Sequence, residues 1–144
     1  MISNQNDNLL EEIYKATKMG LEATQLIIPK IKDTSLKDDI KIQRDSYEDF
    51  AEKSEKMLEK EGNRPEEKGM MQKAALWGAV QLNTLADTTS EHIAEIMING
   101  TTMGIVDLTK KLNDLDDSDA GAKKLALDYL KSEEEHIDAL KKHL

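Results

Sequence analysis

Apolar and small residues recur along most of the chain at alternating spacings of three and four, the period of one face of an α-helix. The first run is Leu10, Ile13, Thr17, Gly20, Thr24, Ile27 and Ile31, widened by Leu9, Ala16 and Ala23. It predicts a helix over about Asn6 to Ile31, with Pro29 kinking its last turn or ending it early. The second run, Leu36, Ile40, Gln43, Tyr47, Phe50, Ser54 and Met57, predicts a helix from about Leu36 to Glu61. Ser35 with Asp38 is a weak capping pair at its start, and Gly62 suits the residue after its end. A single helix from Glu66 to Leu115 would be about 75 Å long, against about 40 Å for each of the first two. A break therefore belongs at Asp87–Ser90, where Asp-Thr-Thr-Ser offers N-caps, in preference to Asn99-Gly100. The third long helix then spans about Thr88 to Leu115 on the stripe Thr89, Ile93, Ile96, Gly100, Met103 and Asp107. The last, about Asp119 to His143, carries Ala122, Leu125, Tyr129, Glu133, His136, Leu140 and His143.

The connector Gly62–Ala86 also reads as a helix, with Met70, Met71, Trp77 and Leu82 among its apolar positions. Tight turns join helices 1 to 2 and 3 to 4, and the long link makes helices 2 and 3 parallel. The prediction is an all-α fold: a single domain over residues 1–144, an antiparallel four-helix bundle with a long helical crossover between helices 2 and 3. Single-crossover connectivity is that of ferritin-like bundles. In the order and length of its helices the chain resembles that superfamily over nearly its whole length. The stretches Lys18–Thr24 (KMGLEAT) and His92–Val106 (HIAEIMINGTTMGIV) are similar to small, uncharacterised bacterial ferritin-like proteins. The resemblance brings no activity with it, but it implies where a di-iron ligand set would stand.

Composition narrows the chemistry. The 144 residues, 16.2 kDa, suffice for one core. The absence of cysteine excludes disulfides, thiol nucleophiles, Cys-zinc sites and iron–sulfur clusters. A net charge of −9 with 3% aromatics argues against a nucleic-acid partner. The opening MISNQNDNLL has no signal-peptide pattern, and the longest apolar run, Ala74 to Val80, is too short to span a membrane. The expected location is therefore cytoplasmic, with no membrane partner.

A ferritin-like di-iron centre takes one Glu from each of two helices and Glu-x-x-His from each of the other two. The spacing puts carboxylate and imidazole on one helical face. Helix 4 has the motif as Glu133-Glu134-Glu135-His136, with Glu133 and His136 both on the apolar stripe. Helix 2 has no histidine, and its inward positions are Gln43, Tyr47, Phe50 and Ser54. Glu11 and Glu22 in helix 1, and Glu91 and Glu95 in helix 3, point outward; His92 sits at a stripe edge and Asp107 near one end. The di-iron set is incomplete. A reduced site for one divalent metal (iron, manganese or zinc) on Glu133 and His136 is the metal-binding alternative.

Stacking the helices puts Gly20, Tyr47, Gly100 and Glu133 at one height and Thr24, Gln43, Met97 and His136 at the next. Buried polar groups must be hydrogen-bonded, so a mid-bundle network of Gln43, Tyr47, Glu133 and His136 is predicted, with Thr17 or Thr24 as further members. Its simplest role is to fix helix register. Neither calcium-loop frame works in the acidic stretch: positions six and twelve are Asp119 and Leu125 from Asp114, and Gly121 and Leu127 from Asp116, so it reads as an acidic loop with an N-cap. Helix 3 has a second apolar edge, Ala94, Ile98, Ile105 and Leu112, and the connector has more apolar residues than one seam needs. Together they predict a homodimer through helix 3 and the crossover helix. The resulting expectation is a non-catalytic module acting by self-association or on a protein partner. A third reading, an enzyme with a small apolar ligand in the space left by the glycines, has no motif behind it.

Overall fold

A computed structural model describes residues 5–63, 85–114 and 120–144, with side chains from Leu9 onward. Among these residues the chain is all-helical, without strands. The helices are α1 (Gln5–Ile27), α2 (Thr34–Lys60), α3 (Ser90–Asn113) and α4 (Ala120–Lys141). The predicted crossover helix, with Met70, Met71 and Trp77, and most of the acidic loop lie outside the described residues.

Pro29 acts as expected. Helix α1 stops at Ile27, and Ile28–Lys30 form one 3₁₀ turn with the proline in its first positions, where no amide donor is needed. The start of α2 differs from the predicted Ser35 cap. Asp33 is the N-cap, and its carboxylate accepts from the Ser35 amide at 3.0 Å. A carboxylate there also meets the positive end of the helix dipole. Gly62 follows α2 at φ +82°, a backbone conformation that favours glycine. The predicted break before the third helix is present: Thr89 caps α3 by accepting from the His92 amide at 3.3 Å.

Three of the four predicted stripes match the buried faces. In α2 the buried residues are Leu36, Ile40, Gln43, Tyr47, Phe50, Ala51, Ser54 and Leu58. In α4 they are Ala122, Leu125, Ala126, Tyr129, Glu133, His136 and Leu140. The α1 face adds Tyr14 to the predicted set. Helix α3 is rotated from the prediction. It buries Ile93, Ala94, Met97, Thr101 and Leu108, whereas Met103 and Asp107 are exposed. Its inner face lies between the two apolar edges read from the sequence, so neither edge alone is the buried one.

Contacts between α2 and α4 pair rising residue numbers with falling ones: Asp39 with His143, Tyr47 with Glu133, Phe50 with Tyr129. The His143 Nε2–Asp39 Oδ2 contact, at 2.7 Å, fastens the end of α4 to the start of α2. The core divides into two apolar clusters. One gathers Leu9, Leu10, Ile13, Phe50, Leu58 and Tyr129 with neighbours. The other gathers Ile27, Leu36, Ile40, Ile93, Met97 and Leu140 with neighbours. Buried polar side chains of Thr17, Gln43, Thr101, Glu133 and His136 complete the interior alongside them.

Candidate functional site

The polar level is built from one side chain per turn on three helices. Gln43 and Tyr47 stand four residues apart on α2, and the Gln43 Nε2 donates to Tyr47 Oη at 2.7 Å. The same amide nitrogen donates to Thr101 Oγ1 of α3 at 3.1 Å. Tyr47 in turn donates to Glu133 Oε2 of α4 at 2.9 Å. Thr101 donates to the Met97 carbonyl at 2.7 Å. Both hydroxyl protons are therefore engaged away from Gln43, which explains why the amide offers its nitrogen to both hydroxyls. Among the described residues two buried side-chain atoms are left without a hydrogen-bond partner, Gln43 Oε1 and Glu133 Oε1.

Glu133 is 2% exposed. Burial penalises its charged form and pushes the carboxyl up to about 8, with the phenols of Tyr47 and Tyr129 pulling the other way. At neutral pH it is mostly the neutral acid. With Oε2 accepting from Tyr47, the acid proton belongs on Oε1, where it has no acceptor. Both phenols are raised well above the ordinary tyrosine value, first by burial and then by the Glu133 charge.

His136 does not join this chain. Its Nε2 lies 3.2 Å from Ser132 Oγ, and Ser132 Oγ lies 2.9 Å from Ser46 Oγ, a separate α2–α4 bridge. Burial pushes the imidazole down, so it is neutral at pH 7. Its ring packs at a tilt against Tyr47, with centroids 6.3 Å apart. The predicted further members also turn elsewhere: Thr17 donates to the Tyr14 carbonyl and Thr24 to the Leu21 carbonyl of their own helix. Sequence reasoning missed Thr101, whose signal was hidden by the register chosen for α3. It also missed Ser132, one residue off the stripe. Among the described residues no group of three or more His, Asp or Glu side chains is gathered around a point that could hold a metal ion. Glu133 and His136 are both buried, each with its own partners.

Beside the polar level lies a cavity of about 420 Å³ between α1 and α3. Ala16, Met19 and Gly20 of α1 and Met97, Gly100 and Gly104 of α3 line its walls, and Tyr47, Tyr129 and Glu133 contribute to it from α2 and α4. Glu12, Lys15 and Asp107 also line it. The two helical glycines with described surroundings differ. A Cβ on Gly20 would lie 2.5–2.8 Å from ring carbons of Tyr47, so this glycine lets the phenol reach Glu133. A Cβ on Gly104 would meet no described atom within 4 Å. Among the described residues, no packing contact requires glycine there, although glycine in a helix interior costs about 1 kcal/mol relative to alanine. The volume is that of a small-molecule site, and the lining combines apolar walls with a few convergent polar groups.

In comparisons with protein-family models, curated proteins and solved structures, nothing matches this chain. The site must therefore be read from its own chemistry. Among the described residues no helix is long and apolar enough to cross a membrane.

Proposed function

We propose that the protein is an antiparallel, ferritin-like helical bundle that binds a small, mainly apolar molecule in the α1/α3 cavity without transforming it. The opposed residue numbering of the α2–α4 contacts supports the antiparallel arrangement. The observation that carries the binding reading is a buried, half-satisfied carboxyl contributing to an apolar cavity. An unsatisfied buried polar atom costs about 1–3 kcal/mol, and a ligand that engages Glu133 Oε1 recovers part of that. This reading keeps the bundle non-catalytic, as its sequence suggests, and makes the recognised partner a small molecule. Two buried side chains without a third ligand give less support to a metal centre on Glu133 and His136.

Gly104 provides the test, because it lines the cavity and among the described residues nothing lies within 4 Å of a Cβ there. The solvent-sensitive dye Nile red should bind the unmodified chain with a rise in emission. Gly104→Phe should weaken its binding at least tenfold while leaving helical circular dichroism intact, with Gly104→Leu intermediate. Equal dye binding by all three proteins would contradict the reading.

A further inference from the structure

We propose that the ligand of this cavity is a lipophilic amine, bound as its cation with the ammonium group on Glu133 Oε1 and its apolar body between α1 and α3. The inference rests on the binding reading above and adds the chemical class of the ligand.

Three features favour a cation over a hydrogen-bond acceptor or an anion. The first is the arrangement around the carboxyl. Tyr47 donates to Oε2, and the Tyr129 phenol also favours the charged form. Both stabilise the carboxylate. A positive charge at Oε1 supplies what the carboxylate lacks, a counter-ion in a desolvated place. The second feature is the pair of phenol rings, Tyr47 and Tyr129, which both line the cavity with their centroids 6.4 Å apart. Aromatic faces attract ammonium groups, more strongly when water is excluded. The third is the remaining charge of the lining, two acids, Glu12 and Asp107, against one base, Lys15. With the overall charge of −9 this draws cations toward the cavity and opposes carboxylates.

At the buried end of the cavity, where the Tyr129 phenol already serves Glu133, an acceptor headgroup would meet chiefly the acid proton of Glu133. The protons of Tyr47 and Thr101 are engaged, as is the Gln43 amide. The two ligand classes differ in the sign of their pH dependence. The titratable and charged groups around the site are Glu12 and Lys15 on α1, Tyr47 on α2, Asp107 on α3, and Tyr129 and His136 on α4. Burial holds the Glu133 carboxyl near 8, keeps the phenols protonated to higher pH and keeps His136 neutral at pH 7. A cation displaces the Glu133 proton to the solvent at pH 7, so its affinity rises as pH approaches 8. A ligand that accepts from the neutral acid loses affinity over the same range.

The experiment is calorimetric titration of the full chain with decylammonium, decan-1-ol and decanoate, all below their aggregation limits. Decylammonium should bind at least tenfold more tightly than decan-1-ol, with decanoate weakest. Its heat should vary with the ionisation enthalpy of the buffer, reporting proton release, and its affinity should rise from pH 6 to pH 8. Glu133→Gln, nearly isosteric and unable to ionise, should bring the amine-to-alcohol preference close to one. The inference is overturned if decan-1-ol or decanoate binds as tightly as the amine, or if Glu133→Gln keeps the preference. In either case the cavity reading survives. If none of the three binds, the cavity reading fails and takes the inference with it.

Discussion

Replacing Glu133 by glutamine makes the protein more stable at pH 8 and flattens its stability between pH 5 and pH 8. The carboxyl titrates near 4.5 when exposed and near 8 in the folded chain. The folded state therefore binds the proton more tightly than the unfolded state. Between these values the unfolded chain releases a proton that the folded chain keeps, so stability falls as pH rises and levels off above about 8. Each tenfold difference in proton affinity between the two states is worth about 1.4 kcal/mol, so the loss from this group is roughly 3–5 kcal/mol. His136 acts in the opposite sense, because its lowered value removes stability as pH falls below 6.5. That contribution is common to both proteins and cancels in their difference. Urea denaturation of the unmodified chain and Glu133→Gln at pH 5 and pH 8 measures the effect. Parallel changes in the two proteins would show that the carboxyl is not desolvated.

The two glycines flanking the cavity give the second large effect, with opposite signs. Alanine at either position gains up to about 1 kcal/mol of helix propensity. At Gly20 the added methyl meets the Tyr47 ring, which is buried and held by Gln43 and Glu133. Displacing such a ring is an overpacking change of about 1–3 kcal/mol, so Gly20→Ala is neutral to destabilising. At Gly104 no described residue opposes the methyl, so Gly104→Ala is stabilising. Thermal or chemical denaturation should separate the two variants by about 1–3 kcal/mol. Equal stabilisation of both would mean that Tyr47 does not pack against Gly20.

The effects depend on different parts of the molecule, and these parts were unequally legible in the sequence. Helices α1, α2 and α4 each have one apolar edge, so a count of three and four residues fixed both their existence and their inner face. That was enough to place Gln43, Tyr47 and Glu133 in the interior. Helix α3 is apolar on two edges, and periodicity alone cannot choose between them. Its inner face lies between them, which brings Thr101 to Gln43 and leaves Met103 59% exposed. The direction of the His136 ring was also out of reach. A stripe position says that a side chain faces inward, but Ser132 and Ser46 decide which neighbour it bonds. The cavity was the least legible feature. Glycines at Gly20, Gly100 and Gly104 signalled close approach or internal space; at Gly20 it is the close approach of the Tyr47 ring, and at Gly104 no described atom lies within 4 Å of where a Cβ would stand.

The acidity of the chain conveys little by itself, since nearly all carboxylates in the described helices face solvent and Glu133 is the buried one. The whole functional account therefore depends on the state of that group and its exposure to a ligand. Carbon-13 NMR titration of the Glu133 side-chain carboxyl, alone and with saturating decylammonium, observes it directly. The predicted midpoint is near 8 for the free protein and moves downward with the amine. A midpoint in the ordinary carboxylate range, unmoved by the amine, would contradict the account.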